Sequence, residues 1–231
     1  VPRQARRGDG TRAKLIDTAL GLFAVHGYDG VTTRMLTNGA RANLAAVNYH
    51  FGGKRGLYHA VIADIARRVR ARLAPEAARL ETAIADSNGE HEALRRAAVG
   101  FFRALITGFI GEASQRPMVG LVMREYASPT DAFPVLYENA VEPLHGAVSR
   151  LVAAAHGRSQ PDRQDITEAH GLIGMCISFA IARVVLCRRL NWEDYTPERV
   201  ARIAETVARM AAGALGLANA MERNGHATRR P

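Results

Sequence analysis

Asn43-Leu44-Ala45-Ala46-Val47-Asn48-Tyr49-His50-Phe51, followed by Gly52-Gly53-Lys54, reads as a short helix that stops abruptly before a second one. Asn43 is an N-cap residue type, because its side-chain oxygen can accept from the free N–H groups of the first turn. Ala42 and Val47 stand at the two positions of a hydrophobic staple. Ala45 and Ala46 are slim, and a helix entering a DNA major groove needs slim side chains where it comes closest to the bases. Tyr49 and His50 supply donors suited to phosphate oxygens. Phe51 is apolar and is expected to turn inward. Gly52-Gly53 breaks the helix. Lys54 then falls at a new helix N-terminus, where charge and unpaired N–H groups together favour a phosphate. The same letters also read as ordinary helix with a core Tyr-His-Phe, so the flanking segments decide.

Working back from Asn43, Ala40-Arg41-Ala42 is a three-residue turn. Before it lies a second short helix, capped by Thr32, stapled by Val31 and Leu36, and ending near Gly39. Tyr28-Asp29-Gly30 is a turn, and Gly27 suits the position just past a helix end. Thr11 to His26 is an amphipathic helix, with Ile16, Ala19, Leu20 and Phe23 on its apolar face. Residues 1–10, with Arg3, Arg6 and Arg7, read as a flexible basic arm. Two short helices joined by so tight a turn, the second slim and polar-tipped, form the helix-turn-helix pattern.

Charge supports that reading. The chain of 231 residues carries a formal net charge of +9. Residues 1–55 hold nine Lys or Arg against three Asp, a net of +6, and the first Glu is Glu76. The excess is therefore concentrated in the first quarter, as a polyanion-binding segment requires.

The run Gly27-Tyr28, Thr32-Thr33 and Asn43 through Lys54-Arg55-Gly56-Leu57-Tyr58 resembles the N-terminal domain of the TetR/AcrR family of bacterial transcriptional regulators. It departs from the usual family pattern in carrying Arg41-Ala42 in the turn, Leu36-Thr37 in the second helix and Gly39 near that helix's end. The resemblance implies an all-α chain with a three-helix DNA-binding domain over 1–55. It implies a helical effector-binding and dimerisation domain over 56–221, and 222–231 reads as a disordered tail. The expected DNA-binding residues are Thr33, Arg34, Asn43, Leu44, Ala45, Ala46, Tyr49, His50 and Lys54. Thr33, Tyr49, His50 and Lys54 are expected on phosphates; Asn43, Leu44, Ala45 and Ala46 are expected at base edges.

The remainder reads as helical throughout, with no strand pattern. Expected helices run from Gly56 to Leu73, stopping before Pro75, and from Glu76 to Ala85. Others run from Glu90 to Gly111, from Met118 to Tyr126, and from Phe133 to His156 with a bend at Pro143. Asp162 to Leu190 is expected as the longest, and Glu198 to about Met221 as the last. Arg124-Glu125-Tyr126-Ala127-Ser128-Pro129-Thr130-Asp131-Ala132-Phe133, Asn191-Trp192 and Pro197-Glu198-Arg199 are similar to the branch of the family around CecR. From that resemblance, an effector pocket is expected among the middle helices, lined by Phe101, Phe102, Met123, Tyr126, Phe133, Met175 and Phe179, with Arg124 and Glu125 orienting a polar group. These side chains also suit a plain core. The dimer interface is expected from the last two long helices, through Ile173, Ile177, Val200, Ile203, Val207, Ala211 and Ala214. Gly171, Gly174, Ser178 and Ala182 would allow close approach.

No catalytic constellation stands out, and none of the eight His falls in a His-Glu-x-x-His pattern. Gly52-Gly53-Lys54 lacks the earlier Gly and following Ser/Thr of a P-loop. Cys176 and Cys187 lie eleven residues apart in one helical pattern and are expected as free, buried thiols of a cytoplasmic protein. The apolar run Gly171–Cys187 is short for a membrane span and contains Arg183. The reading is a homodimeric operator-binding repressor released by a small apolar or amphipathic ligand, with no cofactor, metal or membrane. The alternatives are an activator, a regulator without a ligand, or an enzyme on a helical bundle.

Overall fold

The structure is a computed structural model that describes residues 3–218, and these are helical with no strand. The elements are α1 (Arg3–Gly30), α2 (Thr33–Ala40), α3 (Leu44–Phe51), α4 (Lys54–Ser87), α5 (His91–Ile110) and α6 (Arg116–Ala127). They continue as α7 (Phe133–Leu136), α8 (Glu142–Ala155), α9 (Arg163–Ile181), α10 (Arg183–Arg189) and α11 (Pro197–Ala214). The tail expected over 222–231 lies outside the described residues.

The chain forms two compact units. The first contains residues up to Arg70 together with Ser114–Val141; the second contains Ala71–Ala113 and the chain from Glu142 onward. The units therefore divide differently from the expected boundary at residue 55. In the first unit, Leu15, Phe23, Leu36, Val47, Leu57 and Ile62 share one core with Leu121 and Leu136, and α6 packs along α1. A segment far along the chain thus completes the core of the helix-turn-helix. In the second unit, α11 packs along α5, and α8 along α9, around Phe102, Leu105, Val148, Leu172 and Val207.

Several helix boundaries differ from expectation, each for a physical reason. α1 begins at Arg3, so the expected arm is helical backbone; Gln4, Ala5, Arg6 and Arg7 are good helix formers. α4 continues through Pro75 to Ser87 and is the longest helix. Pro75 removes one hydrogen bond, to the Ala71 carbonyl. The helix persists because Leu73, Ala77, Leu80 and Ile84, at helical spacing on either side of Pro75, all pack into the second core. Before Pro143, where a bend was expected, the chain instead widens into a π-turn over Tyr137–Val141.

The single helix expected over Asp162–Leu190 is two, with a 67° bend between α9 and α10 at Ala182. The broken ladder is repaired from the next connection. The Tyr195 hydroxyl donates to the Phe179 carbonyl at 3.0 Å, and Arg183 pairs with Asp194 at 2.8 Å. The last helix, expected to Met221, ends at Ala214. There the Gly216 and Leu217 N–H groups donate back to the Gly213 and Ala212 carbonyls in a Schellman motif. Cys176 and Cys187 are both free and buried, and burial pushes the Cys176 thiol up to about 12.

Candidate nucleic-acid interface

The α2–α3 pair is fixed by its own caps. Thr32 Oγ1 accepts from Met35 N–H at 3.2 Å, and Asn43 Oδ1 accepts from Ala46 N–H at 2.8 Å. Val31, Leu36 and Val47 are fully buried staple residues. Between the helices the Arg41 N–H donates to the Asn38 carbonyl and the Ala42 N–H to the Thr37 carbonyl, a Schellman closure. Arg41 takes the left-handed conformation at φ 51° that glycine usually supplies there. The nearby glycine, Gly39, serves a different end: a Cβ on it would stand 2.8 Å from Thr18 Cγ2, so its absence lets α2 approach α1.

The Val47 side of α3 faces the core, and the other side faces water. Leu44 is 55% exposed and Tyr49 85%, with Asn43 and Ala45 also exposed and Ala46 half-buried. Thr33 is half-buried and Arg34 exposed at the start of α2. Exposure on this scale for Leu44 and Tyr49, on a helix otherwise anchored, suits a surface meant to be covered. Tyr49, His50 and Phe51 follow ring beside ring, at 5.0 and 6.0 Å between centroids. Gly52, at φ 70°, ends α3, and its N–H donates to the Asn48 carbonyl. At Gly56 a Cβ would collide with the Phe51 carbonyl oxygen, so only glycine permits so tight a junction. That junction sets Lys54 at the first turn of α4, its Nζ 4.3 Å from the Tyr28 ring centroid. All nine residues expected to bind DNA thus lie on α2, on α3 or its N-cap, or at the start of α4, none of them buried.

Charge is sorted across this unit. Among the described residues, Arg12, Lys14, Arg34, Arg41 and Lys54 have no carboxylate partner. Further along α4 three cations are paired, Arg55 with Asp131, Arg67 with Asp64, and Arg68 with both Asp17 and Asp64, while Arg70 has no carboxylate partner among the described residues. The cations near α2 and α3 are free to meet an external anion, and the arrangement can hold a phosphate backbone while α3 offers side chains to a groove.

The segment after α6 holds the first unit together. α1 is interrupted at Gly27, whose φ of 71° and ψ of 175° are not helical, and Arg124 donates to the Ala24 and Val25 carbonyls of the turn before that break at 3.4 and 3.3 Å. Glu125 is buried, and accepts from the Tyr58 hydroxyl, from Thr130 N–H at 3.1 Å and from Thr130 Oγ1. Burial, then Glu125, holds the Tyr58 phenol protonated well above its usual range. Asp131 pairs with His59 at 2.8 Å and with Arg55. Arg124 and Glu125, expected at an effector, are engaged within the unit instead. The partners of Asp131, Tyr58 and Tyr28 were not read from the sequence, because they lie far away in it.

The seven expected pocket residues separate into two groups. Phe101, Phe102, Met175 and Phe179 belong to the second unit, where Phe101 and Phe102 are buried core. Met123, Tyr126 and Phe133 belong to the first, with Tyr126 and Phe133 edge to face at 6.4 Å. Of the residues expected at a dimer interface, Val200, Ile203, Val207 and Ala211 are buried in the chain's own second core, on the helix that packs along α5. Ile173 is buried in the same core, Ile177 is partly buried against it, and Ala214 is exposed. The large apolar residues exposed in this part of the chain are Leu190, Met210 on α11, and Ile166, Ile181, Val184 and Val185 on α9 and α10, near exposed Gly171, Gly174, Ser178 and Ala182.

Residues 15–61 match the family described as bacterial regulatory proteins, tetR family. Residues 93–215, more than half of the chain, match the C-terminal domain of the HTH-type transcriptional dual regulator CecR. The chain is 29% identical over 206 residues to the HTH-type transcriptional dual regulator CecR of Shigella flexneri, covering 89% of this chain and 92% of that one. Its fold is similar to that of a transcriptional regulator from Rhodococcus sp. Rha1, with TM-score 0.55, 17% identity, and 89% and 96% of the two chains covered. It is also similar to HlyIIR, a hemolysin II transcriptional regulator, with TM-score 0.54, 14% identity, and 86% and 97% covered. Among the described residues no single helix is long and apolar enough to cross a membrane.

Proposed function

Because this chain belongs to the TetR family of DNA-binding transcriptional regulators, with a C-terminal domain of the CecR type, we propose that it is a homodimeric repressor. In this reading it binds operator DNA through α2, α3 and the start of α4, and a small apolar or amphipathic ligand releases it. The observation that carries the reading is the exposed side of α3, Asn43 to Tyr49, held by its own cap, with Arg34, Arg41 and Lys54, cations without carboxylate partners among the described residues, in the segments that flank it. Residues 1–55 are assigned to DNA, and 56–221 to the ligand and the dimer. The exposed face of α9 and α10 supports a second copy as the partner that covers it, since an obligate interface is apolar and closely packed. Medium-sized side chains around Gly171 and Gly174 suit such packing.

Two recognition helices can read successive major grooves only about 34 Å apart or at a multiple of it. α4 runs unbroken from Lys54 to Ser87 and has residues in both units, which supports it as the element that a ligand would tilt. A full reversal from mostly bound to mostly released requires about 5.5 kcal/mol of preference for the released form. Linkage makes the effect reciprocal. The test is a pair of titrations with a duplex selected by this protein from a randomised pool. A ligand found by thermal-shift screening of fatty acids, phenols and hydrophobic drugs should lower duplex affinity, and the duplex should lower ligand affinity by the same factor. A ligand that saturates the protein and leaves duplex affinity unchanged would refute release by that ligand. A second reading, activation as well as repression, is favoured by the name of the Shigella flexneri relative, a dual regulator.

A further inference from the structure

Two basic side chains of the first unit rest on aromatic rings. One is Lys54, over Tyr28. The other is Arg12, whose guanidinium carbon lies 5.5 Å from the Phe51 ring centroid. Arg12 is exposed and lies on α1, one turn before buried Ile16. Phe51 is half-buried against the first core and ends the row of rings begun by Tyr49 and His50. Arg12 therefore extends that row from α3 onto α1. No carboxylate pairs with it among the described residues.

We propose that Arg12 is a further phosphate-binding residue of the DNA interface and that Phe51 is its positioning residue. The proposal rests on the DNA-binding reading above. A free arginine is a long, mobile side chain, and fixing it on contact costs conformational entropy. A ring face within about 6 Å attracts the cation and fixes it beforehand. Stacked on the ring, the guanidinium keeps its N–H edge open to two phosphate oxygens. Because the contact is to backbone, it adds affinity without sequence preference.

The experiment uses the full chain, a duplex selected from a randomised pool and a scrambled duplex of the same composition, with anisotropy titrations over a salt series. Arg12→Gln is expected to weaken both duplexes by one factor and to lower the slope of log affinity against log salt by about 0.9 per protomer engaged. Arg12→Lys is expected to restore the slope. Phe51→Leu is expected to weaken both duplexes, but to change nothing further once Arg12→Gln is present; Phe51→Tyr, which keeps the ring, should bind as wild type. Circular dichroism checks that Phe51→Leu retains its helix. If it does not, Phe51→Tyr and the two Arg12 variants carry the test. An unchanged slope in Arg12→Gln would overturn the proposal, as would Arg12→Lys failing to restore it or Phe51→Tyr binding weakly. Equal losses from Phe51→Leu with and without Arg12 would overturn the positioning role. Wild-type protein that selects no duplex from the pool would overturn the DNA-binding reading itself, and this proposal with it.

Discussion

Two surfaces of this chain leave apolar side chains in water, and they differ in what surrounds those side chains. On α3, Leu44 and Tyr49 stand among Arg34, Arg41 and Lys54, cations with no carboxylate partner among the described residues. On α9 and α10, Ile166, Ile181, Val184 and Val185 share the chain with exposed Gly171, Gly174 and Ser178, and the exposed cations Arg163, Arg188 and Arg189 are confined to the two ends of this stretch. The first combination suits a polyanion, whose phosphates are met by charge while a few side chains reach into a groove. The second suits another protein surface, where charge would have to be desolvated. Exposed apolar area alone separates neither; the neighbouring charge does.

The comparison breaks most visibly at Ala45. Ala45→Glu should abolish retardation of the selected duplex, a loss of about a hundredfold or more, because like charges brought together at an interface cost several kcal/mol. Ala45 is exposed, so helix content should be unchanged; a variant that still binds would remove α3 from the interface. On the other surface, Ile181→Arg should give a folded monomer by light scattering that no longer binds the duplex tightly. If that variant stays dimeric, α9 and α10 face something other than a second copy. Val207→Arg is the contrast: Val207 is fully buried, so an unpaired charge there should unfold the chain rather than separate two copies.

Smaller effects sharpen the charge side of the comparison. Lys54→Ala should weaken all duplexes alike and lower the salt slope by about one unit. A changed sequence preference with an unchanged slope would assign Lys54 to base reading. Asp131→Asn should act in the opposite sense, raising duplex affinity a few-fold at low salt by removing the carboxylate that faces Arg55. The His59 hydrogen bond first, and Arg55 next, hold the Asp131 carboxyl below its usual value. Its contribution to stability is therefore present above the unfolded value of about 3.9 and is lost as pH falls through the lower folded value. At neutral pH Asp131→Asn should unfold slightly earlier in urea than wild type, and the difference should vanish in acid.

Features written into adjacent residues were legible in the sequence. The Thr32 and Asn43 caps, the Val31–Leu36 staple and the stop at Gly52 each involve groups within five residues of each other. The break at Ala182 carries no glycine or proline, and its repair comes from Asp194 and Tyr195. Pro75 was over-read as a stop because the burial that carries α4 across it is tertiary. Periodicity correctly marked one apolar side of α11, but periodicity cannot say whether a helix of the same chain or of a copy covers it. Here α5 does. An exposed arginine such as Arg12 has no local signature at all; only the ring of Phe51 beneath it sets it apart.

Pro75 has a consequence on the time axis. The Ala71 carbonyl has no proton to accept from position 75, so the ladder of α4 has a missing rung within five residues of Arg70, where the first unit ends. Amide protons on either side of that rung can open without breaking the cores that bury Ile65 and Leu80. Under hydrogen exchange, α4 should appear as two slow stretches separated by a fast one, despite its unbroken 34-residue trace.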